Sequence, residues 1–459
     1  MTMINPNPGV IYWFRHDLRL HDAPALGAAI QQAAKLGTWL LPVYVHDECL
    51  NQCTPWGFKR MGPNRQAWVH QAVAQLSQQL TAVGSALIQA EGNPVHWLKQ
   101  AWDVLGHPLL ICEEIAAPEE QAQIEALRRQ GIHITTHWQA TLMSPESLPF
   151  LPEAVPDRFT SFREQLERHG VRPALPEPKI QQLPNLPPPH LMQACRKLWA
   201  HPSPSPAARP GPLDTRAAFP WDQAAFAAGE DAALAHLEQY CRRKLPHSYQ
   251  STRNQLLGVD YSSKWSPWLA TGALSPRTAW ARVSAFESEY GASESSYWLL
   301  FELLWRDHFR WLHRKHGKKL YSGQGLSQLP SPSHDPLAFQ QWCRGETGNA
   351  WIDAGMNELA TSGYLSNRMR QNVASFLIHD LACDWRAGAA WFESNLIDYD
   401  VYNNQGNWLY LSGRGTDPRP NRRFNPQLQA SHYDPDGNYR RLWARDGCHG
   451  KLYCMNEQY

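Results

Sequence analysis

Among its nine cysteines the chain has no C-x-x-C pair. That argues against a zinc module and for reduced thiols inside a cell. It also lacks an excess of either charge. With 43 basic and 42 acidic side chains the net charge is +1, so nucleic acid is neither required nor excluded, because a DNA site needs only a local basic face. No apolar run approaches the ~18–20 residues of a membrane span, and no secretory pattern opens the chain. The expectation is a soluble, cytoplasmic monomer without a membrane partner. No G-x-G-x-x-G follows the first strand-like run, which argues against a nicotinamide enzyme. No metal site is expected either: Cys448, His449 and Cys454 are explained more simply as incidental residues of a tail.

Tryptophan, in contrast, is abundant, at 21 residues. These rings could fill a core, or they could stack on a ligand or carry electrons. With 459 residues the chain has room for two or three domains. Residues 9–14, 39–45, 85–90, 108–113 and 132–138 read as strands. The amphipathic stretches 65–82 and 119–130 lie between them, giving the alternation of a parallel α/β sheet. FRHDLRLHD (14–22) follows the first strand and reads by itself as a solvated loop with local ion pairs. Residues 171–212 hold a third of all prolines, which predicts an extended surface segment without helices. Downstream of 219, helical patterns dominate, at 232–244, 297–316, 357–379 and 385–396.

The run IDYDVYNNQGNW (397–408) is the most specific feature. With CDWRAG (383–388) and TSGYLSNRMRQNVASF (361–376), it resembles the flavin pocket of the photolyase/cryptochrome family. SGRGTDPRPNRRFNPQLQASHYDPDGNY (412–439) is similar to the DASH-type cryptochromes in particular. The resemblance runs from FRHDLRLHD to Trp443 in the family's order. It implies an α/β domain with a Rossmann-like parallel sheet (1–138), a Pro-rich connector (139–218), an all-α FAD-binding domain (219–445) and a tail (446–459).

YSSKWSPW (261–268) offers the hydroxyls and amides of Ser262, Ser263 and Ser266, the charge of Lys264, and a proline suited to a helix start. By itself it reads as a helix N-cap; the resemblance makes it the pyrophosphate segment. Tyr249, Arg306, Asn367, Arg370, Asp398 and Asp400 match further flavin contacts, with one Asp expected to meet Arg370 or the adenine side and the other the ring edge. Asn404 corresponds to the side chain facing flavin N5. A neutral amide there can bond either N5 or N5–H without titrating.

Trp408 and Trp385 match the first two members of the family's electron-transfer chain. Ten residues before Trp342, where the third member belongs, stands Pro332, which cannot be oxidised in that role. Another aromatic, such as Trp311 or Tyr321, is the expected surface exit; the alternative is slow photoreduction. Glu302 and Trp305 match the pair that faces a flipped pyrimidine dimer, with Arg253 nearby as a phosphate or flap contact. Gln371 and Tyr410 are the DASH choices where dimer photolyases carry Met and Trp. They make the cavity more polar and offset less of the few kcal/mol needed to flip a damaged nucleotide from a duplex.

Arg414, Arg419, Arg422 and Arg423 form the most basic run, placed by the resemblance beside the DNA face. A methenyltetrahydrofolate antenna between the domains is the second implied cofactor. Glu114 is placed as its carboxylate partner, although a solvated Glu fits that position equally well. The implied activity is light-driven repair of cyclobutane pyrimidine dimers, chiefly in single-stranded or looped DNA. The alternative is a non-enzymatic flavin photoreceptor.

Overall fold

A computed structural model describes residues 8–198, 212–417 and 422–444. Five short strands, β1 (Val10–Phe14), β2 (Leu40–Asp47), β3 (Ile88–Gly92), β4 (Leu109–Glu113) and β5 (Ile134–His137), form one parallel sheet in the order β3-β2-β1-β4-β5. β1 is buried along its whole length, as expected for the centre of a sheet covered on both faces. The strand predicted at 85–90 lies about three residues later. The sheet is completed by helices Pro24–Leu36 and Pro94–Val104, which hydrophobic periodicity did not reveal.

One face of the sheet packs Trp13, Leu41 and Val43 against Trp97 and Ile124. The other face belongs to a core that continues from Tyr12 and Phe14 through Trp68 and Phe219 to Trp268 and Leu303. The α/β and helical halves therefore share apolar packing. A second core in the helical half gathers Trp342, Trp385, Trp391 and Trp408.

Two expectations are corrected. The Pro-rich connector does carry a helix, Pro189–Leu198. Three consecutive prolines end at its first residue, where proline costs no hydrogen bond, and its Cys195 is buried in the sheet-side core. The HPSPSP run lies outside the described residues. The helix predicted over 357–379 is broken in two. Ala350–Ser362 ends at Gly363 in the left-handed region (φ +71°), and Asn367–Ser375 restarts with the Ser366 side chain accepting from the Met369 amide. A π-helical turn, Phe376–Asp380, follows. The break turns the new N-terminus, with Asn367 and Arg370, toward the cavity described below.

FRHDLRLHD is not a solvated loop. Arg15, Asp17, Arg19 and Asp22 are all buried. Asp22 pairs with Arg277 at 2.5 Å, Arg19 Nη1 donates to the Gly272 carbonyl at 3.0 Å, and the Leu18 amide donates to the Thr271 carbonyl at 3.1 Å. A Cβ on Gly272 would come within 1.9 Å of the His16 carbonyl oxygen, so this docking needs glycine there.

Candidate functional site

A cavity of about 520 Å³ opens in the helical half, within the range of small-molecule sites. Its wall unites segments far apart in sequence: Tyr249 and Arg253, Ser262 to Ser266, Glu302, Trp305 and Arg306, Asn367, Arg370 and Gln371, Asp398 and Asp400, and Asn404, Trp408 and Tyr410. Among the sequence-predicted positions, Trp385, Arg414, Arg422, Arg423 and Glu114 are not in this wall. Arg419 lies outside the described residues.

Two ion pairs form around the aspartates. Arg370 Nη2 meets Asp398 Oδ2 at 2.8 Å, with the Asp398 side chain 1 % exposed. Asp400 pairs with Arg310, a residue the sequence reasoning missed although it lies four after Arg306 on the helix Glu294–His316. Burial opposes ionisation of Asp400, yet Arg310 and Arg306 outweigh it and hold its pKa below the usual carboxylate range. Asp400 also accepts from the Tyr402 and Asn403 amides, which caps the helix Val401–Leu411 and fixes the direction in which it presents Asn404. The Asn404 amide nitrogen donates to the Ala389 carbonyl at 3.0 Å.

Lys264 is buried with φ +59°, a backbone region costing about 1–2 kcal/mol for a side-chain-bearing residue. Its Nζ lies 3.3 Å from the Tyr261 ring centroid, and burial lowers its pKa well below the ordinary value, opposed by Glu358. The helix behind it, Ser266–Thr271, has only six residues. The anion-binding capacity of the segment therefore rests on hydroxyls and Lys264 more than on a helix dipole.

At the mouth, Arg253 ion-pairs with Glu302 and lies 4.7 Å from the Trp298 ring centroid. Arg253, expected near Glu302, thus lies in direct contact with it. Burial raises the pKa of Glu302, and Arg253 offsets part of the rise. Phe159, also missed from sequence, stacks on Trp305 at 3.8 Å and 10°. Phe159 thus covers one face of that indole. Tyr410 meets Trp305 edge-on at 6.1 Å, and Gln371 Oε1 accepts from Arg368 at 3.0 Å.

The basic run behaves differently from the sequence expectation. Arg414 is buried rather than displayed toward solvent. Arg422 pairs with Asp417 and lies 3.6 Å over the Tyr410 ring. Arg423 alone among the described three is well exposed, paired with Asp380 at 2.5 Å.

Trp408 and Trp385 are both buried, 2 % and 1 % exposed, in one core. The Trp385 indole N–H donates to the Gly323 carbonyl at 3.1 Å. Gly323 in turn adjoins Pro332, so the proline stands on the outer side of Trp385. Trp311 is no surface exit, because it is fully buried against Trp138 in the other core.

A second cavity of about 430 Å³ lies between the sheet and the helical half, sharing Tyr399 and Asn404 with the first. Its acidic residues include Asp47, Glu119, Glu120 and Glu393. Glu114 is not among them and instead lies 3.9 Å from Arg314, which corrects its placement as a ligand of that space.

The main cavity fits a flavin dinucleotide. Lys264 Nζ, Arg306 Nε, Asp398 Oδ1 and the Tyr261 hydroxyl, all on wall residues, are buried with no hydrogen-bond partner in the protein, and buried polar groups require one. Comparison with known proteins agrees. Residues 298–447 match the FAD-binding domain of DNA photolyase, and residues 10–179 match the DNA photolyase family. A Cryptochrome DASH of Gloeobacter violaceus is 40% identical over 451 residues, covering 95% of this chain and 85% of the relative. A solved Synechocystis cryptochrome superposes with a TM-score of 0.84 at 37% identity, covering 96% of this chain and 89% of its own. A class III photolyase of Agrobacterium tumefaciens gives 0.75 at 27% identity, covering 96% and 88%. No helix among the described residues is long and apolar enough to cross a membrane. The chain is therefore an FAD-binding member of the photolyase/cryptochrome family, in its DASH branch.

Proposed function

We propose that this protein splits cyclobutane pyrimidine dimers in light, chiefly in single-stranded DNA. The observation that carries this reading is that Glu302 and Trp305 line the same cavity as Asp398, Asp400 and Asn404. A base entering the mouth thus comes against the cofactor site, an arrangement that sensing light does not require. Bound FAD supplies the photochemical electron.

The residues supply binding and electrostatics. Arg370, Asp398 and Asp400 orient the cofactor, and Lys264 with the serines of 262–266 neutralises its pyrophosphate. The Asn404 nitrogen is committed to Ala389, which leaves the amide oxygen as the group to accept a hydrogen bond from N5–H. The free face of Trp305 stacks on the flipped dimer. Glu302 offers its carboxyl group to hydrogen-bond the base edges of the dimer. A DNA phosphate that engages Arg253 weakens its ion pair with Glu302 and frees that carboxyl group for the base.

Gln371 and Tyr410 fill the mouth with polar groups already held by Arg368 and Arg422. They give little stacking area to offset the cost of extruding a paired base. In the second cavity a pterin-type antenna would lie against the Tyr399–Asn404 wall, with the part-buried Glu120 as its acidic partner.

The test is repair of one thymine dimer, in a single strand and in a perfect duplex, by pre-reduced protein in light and in darkness. Light-dependent repair of the single strand alone is expected. Repair of neither substrate by flavin-loaded protein would overturn the reading in favour of a photoreceptor.

A further inference from the structure

The two buried tryptophans behind the cavity need a path to solvent, and the position where the third would stand is Pro332. We infer that the outlet of this protein is Trp56, reached from Trp408 through Trp342 and Phe339. The inference extends the functional reading above and rests on Trp408 as the residue that gives an electron toward the cofactor pocket.

The geometry forms a continuous line of rings. The Trp408 and Trp342 centroids are 6.5 Å apart at 76°, Trp342 and Phe339 are stacked at 6.0 Å, and Phe339 and Trp56 are 6.4 Å apart. Trp56 also lies 4.7 Å from His334. Tunnelling falls off exponentially with distance, so rings in contact make a far better route than the same span through aliphatic packing. Phe339 is too hard to oxidise to hold a charge itself. It acts as the close-packed bridge between two oxidisable indoles.

Burial decides where the hole comes to rest. Trp342, Trp351, Trp385, Trp391, Trp408 and Trp443 are all buried in this core, whereas Trp56 is half-buried at its edge. A charged ring is costly in a dry interior and cheaper beside water, so the hole moves outward. The Trp342 ring is fully buried, and its N–H is committed to the Val373 carbonyl at 2.9 Å. The half-exposed Trp56 indole can release its proton to solvent.

Tyr321, the remaining candidate from the sequence, is poorly suited. Oxidation of a phenol requires loss of its proton, and the Tyr321 hydroxyl is buried with no acceptor.

The electron balance is simple. One electron leaves Trp408 toward the pocket, Trp342 refills Trp408, and Trp56 refills Trp342 and sheds a proton. An external thiol then returns one electron and one proton to Trp56, and two such thiols end as a disulfide.

Two measurements on the FAD-loaded full chain test this. The first is the rate of photoreduction in a thiol, followed by flavin absorbance, for wild type, Trp56→Phe and Trp408→Phe. The second needs no substitution: wild-type protein is illuminated in air without thiol, and oxidised tryptophan is mapped by mass spectrometry. Support is a several-fold slower Trp56→Phe, with wild-type oxidation concentrated at Trp56. An unchanged Trp56→Phe rate, or oxidation concentrated elsewhere, overturns the Trp56 outlet. An unchanged Trp408→Phe rate overturns the underlying electron-donor reading as well, so the two failures are told apart.

Discussion

The two cavities share a wall but differ in how far their polar atoms are satisfied. In the larger one four are left open: Lys264 Nζ, Arg306 Nε, Asp398 Oδ1 and the Tyr261 hydroxyl have no hydrogen-bond partner. In the one beneath the sheet Arg15 Nη1 and the Tyr321 hydroxyl are open as well, but most charges satisfy each other. Arg60 pairs with Glu119 at 2.8 Å and Glu393 at 2.9 Å, and Gln123 donates to Asp47 at 2.8 Å. A cavity with orphaned buried polar groups is unstable until a ligand completes it, whereas one that cancels its own charges tolerates being empty. The contrast separates a resident cofactor from a dispensable one.

The strongest way to break the contrast is Asp398→Ala. It strands the Arg370 guanidinium in the wall of the larger cavity, a loss of roughly 3–5 kcal/mol for a broken buried pair. The variant should purify almost free of flavin with a clearly lower Tm, read by absorbance ratio and thermal melting. Stripping ligands from wild type is the next test. Removing FAD should lower Tm by many degrees, while emptying the second cavity should lower it only slightly, because ligand linkage stabilises in proportion to affinity. Equal shifts would abolish the distinction.

Gly388→Ala should have a smaller, local effect. A Cβ there would lie 2.2 Å from the Trp408 ring. Overpacking of about 1–3 kcal/mol should displace that indole and slow photoreduction, with flavin binding retained. A further test concerns Glu113 at the end of β4. Burial, reinforced by Asp17, raises its pKa to about 8. Between the ordinary value near 4.5 and 8 the folded state keeps a proton that the unfolded state has lost. Its contribution to stability therefore declines as pH rises through that window. Melting curves of Glu113→Gln at pH 5 and pH 8 should show a flatter pH dependence than wild type.

Legibility differed between regions for identifiable reasons. The five strands follow from buried apolar runs, and their parallel pairing follows from the helices between them. The helix over 357–379 was misplaced because the apolar period continues across Gly363, and only the left-handed turn there shows the break. The main cavity was legible nearly residue by residue, since ordered motifs fix its wall. Arg414 and Glu114 were misplaced because a charge in a sequence does not state its partner. Arg414 is buried, and Glu114 faces Arg314.

The sequence by itself determined the α/β-then-helical order, the family and most of the side chains around the main cavity. These depend on local periodicity and on motifs kept in order along the chain. Only the tertiary structure decided that Phe159 covers one face of Trp305, that Arg310 holds Asp400, and that Trp342 links Trp408 toward Trp56. Each of these is a contact between residues tens to hundreds of positions apart, and such contacts exist only once a packed core has brought their elements together.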